Sequence, residues 1–231
     1  MHVPDGFING GVLLGTGAVA AGGLSIAVHR TREFLEEKQV ALAGLIASFV
    51  FAVQMLNFPV AAGTSGHLMG GVLAAVLVGP WAATLCLAVV LMVQALFADG
   101  GLTALGLNIV NIALVPTLGG YALFLLLRRV LPARRPSIVV AAGVAAGVSV
   151  SMAAAAFVLE FALGGSAPVS LSATMSAMLS VHSLIGIGEG FITAATISLV
   201  LGVRPDLVHG ASHLAIAPAV LGSREGAVST S

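Results

Sequence analysis

Seven apolar runs alternate with short polar or glycine-rich connections along this chain. A helix needs about 20 apolar residues to cross roughly 30 Å of hydrocarbon. The pattern predicts helices over residues 8–28, 40–56, 67–78, 81–97, 107–127, 137–163 and 175–201. The third run is too short to cross perpendicular to a membrane. We expect it to begin inside the protein after a non-helical loop, residues 57–66, because such backbone is tolerated at membrane depth only when it is buried in protein or lines a cavity.

Composition indicates that these runs belong in a lipid bilayer. Of the 231 residues, 58% are hydrophobic and 8% are charged, and the mean hydropathy is +1.11, whereas soluble domains carry about 25% charged residues. The predicted fold is an all-α integral membrane protein with about seven transmembrane helices. Residues 1–203 are expected to form the membrane-embedded domain and residues 204–231 a flexible cytoplasmic tail. The net charge of zero indicates no nucleic-acid partner, and the single cysteine, Cys86, excludes a disulfide within the chain.

Basic residues occur only in alternate connections, and this predicts an orientation. Short loops that face the cytoplasm are rich in Lys and Arg. With seven spans, all nine basic residues lie on the side of the C-terminus, whereas the N-terminus and the loops 57–66, 98–106 and 164–174 contain none. The N-terminus is therefore predicted to lie outside and the C-terminus in the cytoplasm. The first basic residue is Arg30, so we expect no cleaved leader peptide. We also expect Met1 to be retained, because aminopeptidases usually spare a methionine that precedes a bulky residue such as His2.

The first two residues, Met1 and His2, form a candidate metal chelate. The free amine of Met1, the amide nitrogen of His2 and its imidazole can all turn toward one ion, closing a five-membered and a six-membered ring. His67, in a glycine-rich loop that the topology places on the same side, offers a fourth nitrogen. Nitrogen ligands in tetragonal geometry suit Ni(II), Co(II) or Cu(II) better than Mg(II) or Ca(II). The alternatives are a disordered His2 and a solvent-exposed His67 at a helix end.

Other polar residues are candidates for orienting the ligands, because a metal-bound histidine generally needs a partner on its second nitrogen. Thr64 and Ser65 lie close enough in sequence to hold His67. Ionisable residues inside a bilayer are costly and usually face a polar interior, which singles out His182 and Glu189 as orienting partners or as a second metal position. The alternative is that such residues only link or cap helices. The full set of orienting candidates is Asn57, Ser65, Asn108, His182 and Glu189.

Enzymatic signatures are absent from the sequence: it has no H-E-x-x-H, no G-x-S-x-G and no Walker phosphate loop. We therefore expect no catalytic activity, and uphill transport would need a partner or an ion gradient. A secondary transporter or channel for divalent metal is an alternative, although the inner half offers little beyond Glu189 and Gln94. A membrane scaffold without transport activity, or an intramembrane enzyme, is a further alternative.

Four segments carry a resemblance to a known family. Residues 1–7 (MHVPDGF), 63–71 (GTSGHLMGG), 97–108 (FADGGLTALGLN) and 182–189 (HSLIGIGE) resemble the CbiM/NikM family, the substrate-binding membrane subunits of energy-coupling factor (ECF) cobalt and nickel transporters. The resemblance extends from residue 1 to about residue 203. Pro4-Asp5 is more similar to the cobalt branch, CbiM, than to the nickel branch.

This resemblance implies a fold, a cargo and partners. The fold would be an ECF substrate-binding (S) component bundle with an extra N-terminal helix, in a bacterial inner membrane. The transported substrate would be Co(II), or alternatively Ni(II), bound by Met1, His2 and His67. The partners would be a small CbiN-like membrane subunit, a CbiQ-like coupling subunit and CbiO-like ATPases that hydrolyse the ATP. The imported cobalt would commonly supply cobalamin synthesis.

Overall fold

The chain is mostly helical in the computed structural model, which describes residues 1–32, 37–60 and 64–212. Gly63, His213 and most of the predicted tail lie outside these residues. The helices in chain order are α1 (Gly10–Arg32), α2 (Glu37–Gln54), α3 (Gly71–Val78), α4 (Pro80–Leu96), α5 (Leu105–Asn108), a π-helix (Ile109–Gly120), α6 (Tyr121–Val130), α7 (Arg135–Gly164) and α8 (Leu171–Val203). Two short 3-10 turns, Pro205–Leu207 and His209–Ala211, follow.

Each of the seven predicted runs contains a helix, but only some of the helices are long enough to span a bilayer. Four stretches within the described residues are both long and apolar enough: α1, the continuous segment Leu105–Val130, α7 and α8. Helices α2 and α4 are apolar but shorter. The third run yields only the eight-residue α3, so the count of seven membrane crossings stays a prediction.

The loop predicted over residues 57–66 contains a small element that the all-α expectation missed. Strands β1 (Phe58–Pro59) and β2 (Ser65–Gly66) pair antiparallel. Strand β2 leads directly to His67, so the hairpin determines where the histidine enters the bundle. The described residues of this loop, 57–60 and 64–66, are non-helical, as predicted.

Helix α3 lies at the centre of the bundle. Its residues from Gly71 to Leu77 are all buried, and it contacts α2, α4, the π-helix, α6, α7 and α8. An added Cβ on Gly71 would collide with Pro116, and one on Gly120 would collide with Val72. Small residues at these points therefore let the central helix approach its neighbours closely.

The segment Leu105–Val130 contains a proline, Pro116, within its π-helical part. In an α-helix proline removes one backbone hydrogen bond, and its ring clashes with the carbonyl four residues earlier. The wider i→i+5 turn of a π-helix accommodates both effects without ending the segment. The segment thus carries two buried residues, Asn108 and Asn111, on one continuous element.

Helices α7 and α8 pack through reciprocal glycine contacts. A Cβ on Gly143 would lie 2.9 Å from the carbonyl oxygen of Gly190, and one on Gly147 would lie 2.9 Å from that of Gly186. The two backbones therefore touch without intervening side chains. Gly188, in the same stretch of α8, has open space around it, so Gly186 and Gly190 pack against α7 but Gly188 does not.

Large apolar side chains cover much of the outer surface. Examples on four different helices are Leu14, Leu45, Leu159 and Leu199, each more than 60% exposed. A water-soluble monomer rarely exposes an apolar surface of this extent, whereas a lipid-facing surface requires one.

The glycine contacts between α7 and α8 lead to a stability prediction. Gly186→Ala places a methyl group against the backbone of Gly147 and should lower the free energy of unfolding by about 1–3 kcal/mol through overpacking. The matched control is Gly188→Ala, which should be neutral or stabilising by up to about 1 kcal/mol because alanine favours helix. Unfolding of the purified variants in detergent measures both values, and equal stability of the two variants would contradict the packing described above.

Candidate functional site

The N-terminal segment is folded into the bundle. Met1 and Val3 are fully buried and His2 is 4% exposed. The ring of Phe7 packs against Phe157 at 5.9 Å and Phe161 at 5.4 Å between centroids. The possibility of a disordered His2 is therefore wrong. Apolar anchoring by Phe7 holds the start of the chain inside the protein.

Backbone hydrogen bonds fix the position of this segment. The Val3 N–H donates to Asn108 Oδ1 at 2.9 Å, and Asn108 Nδ2 donates to the Val3 carbonyl at 3.2 Å. The Gly101 N–H donates to the same carbonyl at 2.9 Å. We call these three bonds the Val3 clamp. Asn108, an orienting candidate from the sequence, thus acts on the backbone next to His2.

A turn at the end of α4 contacts both nitrogens of the His2 ring. His2 Nε2–H donates to Gln94 Oε1 at 3.0 Å, and His2 Nδ1 lies 3.2 Å from Asp99 Oδ1. The turn is closed by Ala98, which has a left-handed φ of 60°, and by the Asp99 N–H, which donates to the Gln94 carbonyl at 3.0 Å. One turn therefore presents both side chains to one ring.

Gln94 and Asp99 are the residues that the sequence reasoning missed. Gln94 was assigned to the inner half of the bundle, and this was wrong because α4 ends beside His2. The available signal was the Asp99-Gly100-Gly101 turn, which follows an apolar run within one of the segments that carry the family resemblance. Asn57, a predicted orienting residue, acts through this turn, since its Nδ2 donates to Asp99 Oδ2 at 3.1 Å.

His67 lies beside His2 and is 1% exposed, so a solvent-exposed helix-end histidine is wrong. The two imidazole rings stack with centroids 4.5 Å apart and planes inclined by 29°. His67 Nδ1–H donates to the carbonyl of Leu68 at 2.9 Å. Because that nitrogen carries the proton, the lone pair of the neutral ring is on Nε2, which is buried and without a hydrogen-bond partner among the described residues.

Thr64 and Ser65 do not hold the His67 ring as expected. The Ser65 Oγ accepts a hydrogen bond from the His2 backbone N–H at 3.2 Å, and the Thr64 hydroxyl donates to Met178 Sδ at 3.7 Å. The local backbone supplies the partner for His67 instead. Ser65 is therefore a neighbour of the His2 amide, which is one of the predicted chelating groups.

His182 and Glu189 lie on α8 and act separately. The Glu189 carboxylate accepts hydrogen bonds from the backbone N–H groups of Met69 and Gly70, which fixes the chain just after His67. His182 Nδ1–H donates to the Met178 carbonyl of its own helix at 2.9 Å, and its Nε2 is buried without a partner among the described residues. Glu189 therefore orients the His67 loop.

Burial controls the protonation of the clustered nitrogens. Desolvation holds the pKa of the Met1 amine well below its usual value, against the attraction of the Asp99 charge. Desolvation also lowers the pKa of His2 and, more strongly, that of His67, where charges on the Met1 amine and His2 add to the effect. Burial raises the pKa of Asp99, but the hydrogen bond and charge of His2, the charge of the Met1 amine and the hydrogen bond from Asn57 together outweigh this, so that pKa is lowered overall. The three nitrogen groups therefore favour their neutral, lone-pair-bearing forms at neutral pH.

The site differs from a metal centre built of side chains alone. Within the described parts of the chain, no three His, Cys, Asp or Glu side chains group closely enough to hold a metal ion. A metal here would therefore need nitrogens of the main chain. A cavity of about 330 Å³ reaches His2, and Asp5 and Asp99 both line it.

The Val3 clamp predicts that Asn108 keeps the Met1 amine away from solvent. Asn108→Ala removes two hydrogen bonds and leaves the buried Val3 N–H without a partner, at a cost of about 1–3 kcal/mol. We expect amine-reactive reagents to acylate Met1 faster in this variant at neutral pH. The control, Asn9→Ala, loses only a bond to the Val12 N–H at the start of α1. Unchanged labelling of Asn108→Ala would contradict the role of the clamp.

Comparison with known proteins identifies the family. A family model described as "Cobalt uptake substrate-specific transmembrane region" matches residues 2–207. The cobalt transport protein CbiM of Sorangium cellulosum is 34% identical over 227 residues, covering 94% of this chain and 99% of that protein. The fused nickel transport protein NikMN of Rhodobacter capsulatus is 32% identical over 221 residues, covering 90% of this chain and 64% of that protein.

Solved structures agree with this relationship. The crystal structure of a truncated transition metal transporter superimposes with a TM-score of 0.81 at 30% sequence identity, covering 87% of this chain and 99% of that chain. The apolar helices and the family match together indicate a multi-pass membrane protein. The resemblance found in the four sequence segments is confirmed, and the chain belongs to the CbiM family of cobalt uptake substrate-specific transmembrane proteins.

Proposed function

We propose that this protein captures a divalent transition-metal ion and delivers it inward as the substrate-specific subunit of an ATP-driven ECF uptake transporter. The observation that carries the proposal is the burial of the Met1 amine together with two stacked imidazoles, His2 and His67. Burying three polar nitrogen groups costs free energy unless each makes a hydrogen bond or binds a ligand. A metal cation that accepts their lone pairs supplies that ligand.

The four proposed ligands are the Met1 amine, the His2 amide nitrogen, His2 Nδ1 and His67 Nε2. His67 has the arrangement typical of a metal-bound histidine: one nitrogen donates to a backbone carbonyl and the other is left open. The His2 backbone N–H donates a hydrogen bond to Ser65 Oγ. Coordination of a metal by this nitrogen would require the N–H to lose its proton. Gln94 accepts a hydrogen bond from His2 Nε2–H. This leaves the Nδ1 atom of the ring for the proposed chelate with the Met1 amine and the His2 amide nitrogen.

We propose Co(II) as the cargo, with Ni(II) as the alternative. A site of four nitrogens accepts either metal, and selection in cells depends on geometry and supply. The family description and the Sorangium relative name cobalt, whereas the Rhodobacter relative names nickel. Pro4-Asp5, which is more similar to the cobalt branch, supports Co(II).

Separate subunits would supply the energy and complete the transporter. We propose a CbiN-like small membrane subunit, a CbiQ-like coupling subunit and CbiO-like ATPases. The chain covers 64% of the fused Rhodobacter protein, which supports a further CbiN-like part encoded outside this sequence. A secondary transporter or channel is less favoured, because Gln94 belongs to the candidate site and the central helix α3 is apolar.

We further propose that the metal site faces outward in a bacterial inner membrane and that residues 204–231 face the cytoplasm. The N-terminal segment contacts the three loops without basic residues, through Ser65, Gly101 and Gly165. Their convergence at one end of the bundle supports the topology that the positive-inside rule predicts. Val208 and Ala211 are buried beside the bundle, and the boundary between domain and tail stays a prediction.

The chelate predicts that the N-terminus tolerates no addition. Two glycines placed before Met1 convert its amine to an amide. We expect Co(II) affinity to fall by more than about 10–100-fold, which is the loss typical of removing an orienting partner. His67→Ala should have a similar effect. Titration of the purified protein with Co(II) and with Ni(II) measures the loss and reports metal preference.

Two controls accompany these variants. Two glycines added after Ser231 change the length of the chain equally. His209→Ala removes a histidine in another part of the fold, whose ring centroid lies 6.2 Å from that of Tyr121. Both should bind metal as the unmodified protein does. Full affinity in the extended chain would refute the chelate.

The pH dependence of binding follows from the lowered pKa values of the ligands. Since the Met1 amine, His2 and His67 are neutral near pH 7, only the His2 amide should release a proton there. Protons compete with metal, so the apparent association constant should fall about tenfold per unit decrease in pH and more steeply where the imidazoles become protonated. Calorimetry in buffers of different ionisation enthalpy should find about one proton released per metal at neutral pH. Release of about two protons would show that the amine is charged in the free protein.

A further inference from the structure

A cavity of about 430 Å³ lies at the end of the bundle opposite the candidate metal site. Helix α4 connects the two ends: Gln94, in its last turn, contacts His2, whereas Gly79, Pro80 and Trp81 at its start line this cavity. At about 1.5 Å per residue α4 is about 25 Å long, which is close to the roughly 30 Å thickness of the hydrocarbon core. The cavity therefore lies near the other surface of the membrane, away from the residues proposed to capture metal.

The first turn of α4 brings unused backbone donors to this cavity. The first four N–H groups of an α-helix have no partner within the helix. Pro80 has no N–H, and the Ala83 N–H donates to the Gly79 carbonyl. No side chain of the described residues caps the turn, and the turn contains no acidic residue. The N–H groups of Trp81 and Ala82 remain, and the positive end of the helix dipole there attracts an anion.

Two neighbouring residues at the end of α1 add side-chain donors. Thr31 lines the cavity and is 7% exposed, and its hydroxyl oxygen is buried without a hydrogen-bond partner among the described residues. Because an unpaired buried hydroxyl lowers stability, a ligand that accepts its proton would remove that cost. Arg30 lines the same cavity and is exposed, and a guanidinium suits the oxygens of a phosphate. No acidic residue is among the described residues that line this cavity.

The aromatic residues around the cavity place it at the depth of lipid headgroups. The sequence contains one tryptophan and one tyrosine, and both, Trp81 and Tyr121, line this cavity. These two residue types are concentrated at the boundary between membrane and water. Ile26 precedes Arg30 by four residues and so shares its face of α1, and it is 51% exposed. An occupant with an anionic head and apolar chains matches both surroundings.

We propose that this cavity binds the phosphate group of an anionic phospholipid. The Arg30 guanidinium, the Thr31 hydroxyl and the first-turn N–H groups of α4 donate to the phosphate oxygens, and the acyl chains lie along the exposed face of α1 beside Ile26. Free phosphate offers the same oxygens but has no apolar part to cover that face. The site does not depend on metal binding, so it can be tested independently of the proposed transport function.

Trp81 is the only tryptophan of the chain, so its fluorescence reports on the cavity. The full chain is reconstituted in phosphatidylcholine vesicles with increasing fractions of phosphatidylglycerol whose brominated acyl chains quench a nearby tryptophan. Brominated phosphatidylcholine is the zwitterionic comparison. We expect phosphatidylglycerol to reach half-maximal quenching at an about fivefold lower mole fraction, since one basic residue near the surface attracts anionic lipid by about that factor. Equal quenching by the two lipids would overturn the proposal.

A matched pair of variants separates a site from general surface charge. Arg30→Gln removes the guanidinium at the cavity, whereas Arg32→Gln removes the same charge two residues later on α1, from an exposed position that does not line the cavity. Arg30→Gln should abolish the preference for phosphatidylglycerol, and Arg32→Gln should retain it. An equal loss in both variants would indicate diffuse attraction to the membrane surface and refute the site.

Thr31→Val tests the buried hydroxyl with little change in shape. In phosphatidylcholine alone this variant should have a Tm at least as high as that of the unmodified protein, because it removes an unpaired polar group. Phosphatidylglycerol should then raise the Tm of the unmodified protein more than that of the variant, and an equal rise would contradict the role of Thr31.

Inorganic phosphate distinguishes the two sources of a phosphate group. Added to the phosphatidylglycerol vesicles, it should leave the quenching of Trp81 unchanged. Loss of the quenching on adding phosphate would assign the cavity to the free anion and overturn the lipid occupant.

Discussion

The Val3 clamp holds the start of the chain inside the bundle, and the arrangement of the site depends on it. A free N-terminus normally stays in water because its ammonium group is strongly hydrated. Here three hydrogen bonds to the backbone of Val3 and the packing of Phe7 on the aromatic rings of α7 offset that loss of hydration. The buried position then favours the neutral amine, which is the form that can donate a lone pair.

The loops that contact the N-terminal segment also position the nitrogen groups of the candidate site. The turn after α4 places Gln94 and Asp99 on either side of the His2 ring. The β-hairpin leads directly to His67. Glu189 of α8 accepts hydrogen bonds from the backbone of the two residues Met69 and Gly70, which follow shortly after His67. Helix α3 begins immediately after this loop and is buried along its length. The position of His67 is thereby tied to the central helix of the bundle.

Much of the fold could be predicted from apolar periodicity, since hydrocarbon thickness dictates how long a span must be. The helices of all seven runs were located, including the short third run, which forms the buried helix α3. The π-helix around Pro116 and the β1–β2 hairpin were not, because both are local responses to packing that composition does not record. The number of runs that cross the bilayer depends on tilt and depth, which apolar length alone leaves open.

The features of the candidate site also divide into those that the sequence predicted and those that tertiary contacts decided. The sequence by itself determined that Met1 and His2 begin the chain, that His67 follows a glycine-rich loop, and that both belong to one family pattern, since these are properties of residue order. Only the tertiary structure decided that Ser65 serves the His2 amide, that Gln94 and Asp99 flank the His2 ring, and that Asn57 acts through Asp99. These contacts join residues 42–97 positions apart. A helix end and a loop meet at such distances only when the bundle packs, so the orientation of the ligands was decided by tertiary contacts.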